Sequence, residues 1–165
     1  MFLIHKQGNI LINDAHEACL IDFGLSSIKA EFEGTSYWSS TVGGALRWRA
    51  PELMPSDDPL PVPTFASDIY SFGCIMLQVG LILLRNRTHF AKRDVGQTLS
   101  GKVPFDNIKS DLRVAFEKYN GISPARPKVP PIENVHWNLI TECWGEASTR
   151  PSIDDIQARI LEFRA

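Results

Sequence analysis

The sequence predicts a mainly helical fold carrying one small β-hairpin near its start, and three observations predict it. Two short β-prone runs, Ile10-Leu11-Ile12 and Ala18-Cys19-Leu20-Ile21, are joined by the polar, turn-forming stretch Asn13 to Glu17. A nearly continuous apolar segment, Ile69 to Leu84, contains Ser71 and Gln78 and falls short of the ~20 residues that a membrane span needs. It reads instead as a helix buried on all sides in a soluble core. From Ile108 onward, apolar residues recur at helical spacing between identifiable start and stop signals.

Taken in order, the hairpin comes first, followed by Ser26 to Thr41, rich in Ser, Thr and Gly without a clear period, which is the pattern of a mobile surface loop. Pro55 to Pro63 is a second loop, stiffened by four prolines. Ser67 is the expected N-cap of the apolar helix, with Asp68 at its positive end. Ile108, Leu112, Phe116 and Tyr119 form an apolar stripe that stops at Gly121, a natural C-cap. Val135, Leu139, Ile140 and Cys143 form another stripe. Ser152 with Asp155 resembles a capping box, after which Ile153, Ile156, Ile160 and Phe163 line one face of a terminal helix. No internal repeat is present.

The 165 residues suit one domain. Seventeen Lys and Arg against nineteen Asp and Glu leave a net charge of −2, so no basic field points to nucleic acid or an anionic membrane. The three cysteines, Cys19, Cys74 and Cys143, lie far apart without a C-x-x-C pair; they read as buried free thiols of a reducing compartment. Met1-Phe2-Leu3-Ile4 runs at once into His5 and Lys6, too short an apolar stretch for a secretory signal, which makes the cytoplasm the default address. Asn86-Arg87-Thr88 is then a coincidental glycosylation match, and His136 with Cys143 lacks the four-ligand spacing of a zinc site.

Asp22-Phe23-Gly24, thirteen residues after Asn9 and followed by Ala50-Pro51-Glu52, resembles the C-terminal lobe of a eukaryotic protein kinase. The resemblance implies a catalytic-loop remnant and metal-binding hairpin over 1–24, an activation segment over 22–52 and a helical subdomain over 66–165. It implies that Asn9 and Asp22 hold Mg²⁺, that Lys6 contacts the transferred phosphate, and that Leu11 lies beneath the adenine of ATP. Phe23, beside Gly24, would pack into the family's hydrophobic spine. Glu52 and Arg150 would form the ion pair that ties the end of the activation segment to the helical subdomain, and Asp68 would hold the catalytic-loop backbone. Trp48, Cys143-Trp144 and Arg150-Pro151 are similar to the tyrosine-kinase-like branch, which includes many serine/threonine kinases.

The sequence also departs from that pattern. Ile4 stands five residues before Asn9, where the family has its catalytic Asp, and Ala45 stands where many serine/threonine members have a substrate-seating Thr. No glycine-rich loop, strand lysine or helix glutamate is found, so the expectation is a truncated lobe without the N-terminal half. Excising Val79 to Gln97 joins Gln78 to Thr98 and restores the family pattern; with Arg85, Arg87, Lys92 and Arg93, the stretch reads as retained noncoding sequence or an ornamental loop in preference to a docking element. The expected family activity is transfer of the γ-phosphoryl of Mg-ATP to Ser/Thr, or Tyr, hydroxyls of a protein substrate, with this chain inactive alone. The alternatives are a pseudokinase-type module that docks a protein partner and an inert product of faulty gene prediction.

Overall fold

The computed structural model describes residues 10–12, 18–20, 46–54, 62–85, 103–128 and 131–163. The hairpin is present: β1 (Ile10–Ile12) pairs antiparallel with β2 (Ala18–Leu20), with Ile10 opposite Leu20, Leu11 opposite Cys19 and Ile12 opposite Ala18. β-Branched and apolar residues suit this pleated pairing. Ile21, expected to end the second strand, lies outside the described residues.

The remainder is helical. After a short 3-10 turn, Pro51–Leu53, comes α1 (Phe65–Arg85). It starts three residues before the expected Asp68, because Thr64 and not Ser67 is the cap. The Ser67 amide donates to Thr64 Oγ1 at 3.2 Å, and the Thr64 amide donates to Ser67 Oγ at 3.0 Å. This reciprocal exchange satisfies two N-terminal donors and leaves Ser67 inside the first turn. The helix runs unbroken to Arg85, so Val79 to Arg85 prolong it. Ile69, Tyr70, Ser71, Cys74, Ile75, Leu77 and Gln78 are buried, while Phe72 and Met76 are half-buried. Among the described residues no helix is long and apolar enough to cross a membrane.

Three shorter helices follow. In α2 (Asp111–Tyr119) the expected apolar stripe faces outward: Leu112 is 82% exposed, Phe116 57% and Tyr119 83%. The buried face is Val114 and Lys118. The helix stops as predicted at Gly121, whose φ of 74° lets its amide reach Lys118 O while the Ile122 amide reaches Glu117 O, a Schellman closure. α3 (Asn134–Cys143) buries Leu139, Ile140 and Cys143, but Val135 is 46% exposed. α4 (Ile153–Glu162) opens on the Ser152–Asp155 capping box. It buries Ile156 and half-buries Ile160, with Phe163 just past its end, while Ile153 faces solvent.

The core lies where α1 crosses α3. The backbones approach so closely at Gly73 that a Cβ there would sit 2.7 Å from Cys143 Cβ. One apolar cluster gathers Trp48, Tyr70, Cys74, Ile140 and Trp144; another gathers Ile69, Leu139, Cys143 and Ile156. Cys74 and Cys143 are buried free thiols, with burial pushing them up to about 11 and about 12.

Candidate functional site

Lys6, Asn9, Asp22, Phe23, Gly24 and Ile4 lie outside the described residues. Leu11 is the central residue of β1, and Asn9 and Asp22 flank the hairpin in sequence. Among the described residues no group of three or more His, Cys, Asp or Glu side chains could hold a metal ion. The site that the structure builds in full is the segment Leu46 to Met54, where four separate parts of the helical subdomain converge.

The first is the Glu52–Arg150 pair, 98 residues apart in sequence. Arg150 Nη1 donates to Glu52 Oε1 at 2.5 Å and Nη2 to Oε2 at 2.9 Å, a bidentate fork. The Arg150 side chain is only 3% exposed and that of Glu52 33%. Arg150 also donates to the carbonyls of Gly145 and Ala66 and lies 5.3 Å from the Tyr70 ring centre, so it is fixed on every side. Partial burial pushes the Glu52 carboxyl up, but hydrogen bonds, led by that from Arg150, and the Arg150 charge outweigh it and hold the group below its ordinary value.

The second is α1 itself. Ser71 Oγ donates to the Trp48 carbonyl at 3.0 Å, and the Trp48 indole N–H donates to Gln78 Oε1 at 2.8 Å. The polar residues that interrupt the apolar helix thus serve buried hydrogen bonds. Asp68 lies in the first turn of α1 and is half-buried.

Third, Arg47 reaches away from the segment to the turn before α2. Its guanidinium donates to Asp111 at 2.9 Å and to the carbonyls of Pro104, Phe105 and Ile108 at 3.1, 2.8 and 2.7 Å. Phe105 is held there in the left-handed region, φ 58°, a conformation costing on the order of 1–3 kcal/mol for a bulky residue. Its buried ring and its bond to Arg47 hold it in place.

Fourth, Lys118 of α2, 1% exposed, extends its amine beneath the segment. Nζ donates to the carbonyls of Leu46, Arg47 and Arg49 at 3.2, 2.8 and 2.6 Å. It also lies 4.9 Å from the Tyr70 ring centre and 5.7 Å from that of Phe105. Burial pushes the amine down to about 8.

Arg150 and Glu52 were marked by the family pattern; Arg47, Lys118, Ser71 and Gln78 were not. A signal existed for three of them. Ser71 and Gln78 are seven residues apart and share a helix face, and Lys118 stands one turn after Val114 on the buried side of α2. The structure therefore holds Leu46 to Met54 as a platform fastened from several sides, with its charged groups serving as the fasteners.

Comparison with known proteins identifies what the platform belongs to. Residues 4–159 match the family model described as the protein kinase domain. The chain is 30% identical over 157 residues to the serine/threonine-protein kinase mos of Patiria pectinifera, covering 92% of this chain and 37% of that protein. It is 30% identical over 156 residues to receptor-interacting serine/threonine-protein kinase 3 of Rattus norvegicus, covering 93% and 29%. With the dual specificity protein kinase pyk3 of Dictyostelium discoideum the identity is 30% over 164 residues, covering 95% and 10%. The chain thus spans only 10% to 37% of the length of these relatives. With a match that runs through nearly the whole sequence, the chain belongs to the protein kinase family.

Proposed function

We propose that this chain is the substrate-side lobe of a serine/threonine kinase of the tyrosine-kinase-like branch, in which phosphoryl transfer from Mg-ATP to a protein hydroxyl takes place. The observation that carries the reading is the fastening of Leu46 to Met54, which in sequence closes the segment that begins at Asp22, by Arg150, Lys118, Ser71 and Gln78. Two of the relatives named above are serine/threonine kinases by their descriptions, which supports the choice of hydroxyl.

The donor chemistry fits the cofactor. Asn9 and Asp22 offer hard oxygen ligands of the kind Mg²⁺ selects, and Lys6 offers a cation for a phosphate. Bound Mg-ATP supplies the transferable γ-phosphoryl. Leu11 supplies an apolar side chain for the adenine, Phe23 a ring for the hydrophobic spine, and Asp68 a carboxylate for the catalytic-loop backbone. Ile4, however, cannot accept the proton of an attacking hydroxyl, so the chain by itself does not catalyse the transfer. That residue favours the second reading, a lobe that docks a protein partner without chemistry, working in the cytoplasm.

Incubation of the purified chain with γ-labelled ATP, Mg²⁺ and general protein substrates should give no transfer above background. Transfer that is lost in Asp22→Ala would overturn the inactive assignment. Magnesium-dependent binding of a non-hydrolysable ATP analogue, weakened in both Asp22→Ala and Asn9→Ala, would support the metal assignment; binding indifferent to both would reject it.

A further inference from the structure

Lys118 is a charged residue with almost no access to water, set between two aromatic rings. An ammonium has three N–H donors and no acceptor, and three backbone carbonyls surround this one. The match is one to one. A neutral amine would donate only two hydrogen bonds and turn its lone pair toward the third carbonyl oxygen. A methionine of similar length would take this donor from all three carbonyls, leaving that of Arg47 only the weak Cys74 thiol at 3.9 Å, in a dry site where a lost donor is costly.

The Tyr70 and Phe105 rings favour a cation here, but among the described residues no carboxylate forms an ion pair with it. The Cys74 sulfur on α1 and Glu52 favour the charged amine, Arg49 and Arg47 oppose it, and the Tyr70 ring faces it from α1. The one feature that requires three donors at this point is the backbone of Leu46 to Arg49. That backbone leads directly into Ala50-Pro51-Glu52 and carries Arg47, whose side chain fastens the turn at Phe105. From these contacts we infer that Lys118 is a positioning residue: its ammonium, by proton count, sets the backbone shape of Leu46 to Arg49 and hence the face this segment offers to a protein substrate. That the face meets a substrate rests on the function proposed above; that the ammonium shapes the segment does not.

The test uses the full chain with ¹⁵N-lysine and ¹³C-carbonyl labels and needs neither ATP nor substrate. In the native protein at pH 7, the Lys118 Nζ signal should show coupling to three slowly exchanging protons. Between pH 6 and 10 the carbonyl shifts of Leu46, Arg47 and Arg49 should move together with that nitrogen, through one midpoint near 8. Lys118→Met should abolish the carbonyl step and lower amide protection within residues 46–50 at least tenfold relative to α1. The inference is overturned if the carbonyls do not titrate with Nζ in the native chain, or if their step persists in Lys118→Met. It is also overturned if the variant keeps full protection in the segment. Should Lys118→Met fail to fold, the native titration alone still decides. A null result in the phosphotransfer assay leaves the titration untouched, so the two readings fail separately.

Discussion

Replacing Glu52 by Gln tests how the platform is fastened, because the two sides of its ion pair are unequally buried. Arg150 is 3% exposed and keeps its bonds to the Gly145 and Ala66 carbonyls, whereas Glu52 is 33% exposed. Stranding a fully buried charge costs roughly 3–5 kcal/mol. Water on the Glu52 side can rehydrate part of the guanidinium, and Gln still offers one carbonyl acceptor, so the expected loss is about 1–2 kcal/mol. Glu52→Ala, with no acceptor, should lose about 2–3 kcal/mol. Urea unfolding followed by tryptophan fluorescence reads this as a lower midpoint, and thermal unfolding as a fall of about 2–4 °C per kcal/mol for a chain of this size.

Acid supplies a second axis. The Glu52 carboxyl is held below its ordinary value in the folded chain, so its stabilisation is fully present above the unfolded value near 4.5 and is lost as pH falls through the lower folded value. The stability gap between the native protein and Glu52→Gln should therefore be constant from pH 8 to about 5 and narrow as pH falls further, closing below the lowered folded value. An unchanged urea midpoint for Glu52→Gln at pH 7 would refute the reasoning, as would a gap that persists undiminished at pH 3.

Three further outcomes follow from packing. Gly73→Ala places a Cβ 2.7 Å from Cys143 Cβ and 3.0 Å from Trp144 Nε1, and should destabilise by about 1–3 kcal/mol in urea titration. Cys143→Ala should not rescue it, since the clash is with a Cβ that alanine retains. Leu112→Ser and Tyr119→Ser, at positions 82% and 83% exposed, should each change stability by less than about 0.5 kcal/mol. Cys74 and Cys143, both 0% exposed and raised by burial, should resist a thiol reagent at pH 8 and label only after denaturation, as read site by site by mass spectrometry.

Features governed by neighbours along the chain are legible from residue types alone. The Ser152–Asp155 capping box and the Gly121 stop are written in residues within one or two turns of each other, and both form as expected. The hairpin is local in the same sense: its two apolar runs are separated by a short polar turn. The start of α1 shows the limit of local reading. Thr64 and Ser67 are both good caps by type, and only the hydrogen-bond geometry makes Thr64 the cap and Ser67 its reciprocal partner. The family signature, through Asp22-Phe23-Gly24 and Ala50-Pro51-Glu52, is visible because it is an order of residue types along the chain.

The orientation of α2 was decided elsewhere. Both of its faces carry apolar residues, Leu112, Phe116 and Tyr119 on one, Val114 and Ala115 on the other, and hydrophobic periodicity favours burying the larger set. The fold buries the smaller set together with a lysine, because the carbonyls of Leu46, Arg47 and Arg49 lie in a dry interior and must find donors. Sequence by itself determined the family, the capping box of α4, the stop of α2 and the pairing of the hairpin. Only tertiary structure decided which charged side chains go inside, because a buried charge answers to backbone groups some 70 residues away that no local pattern can show.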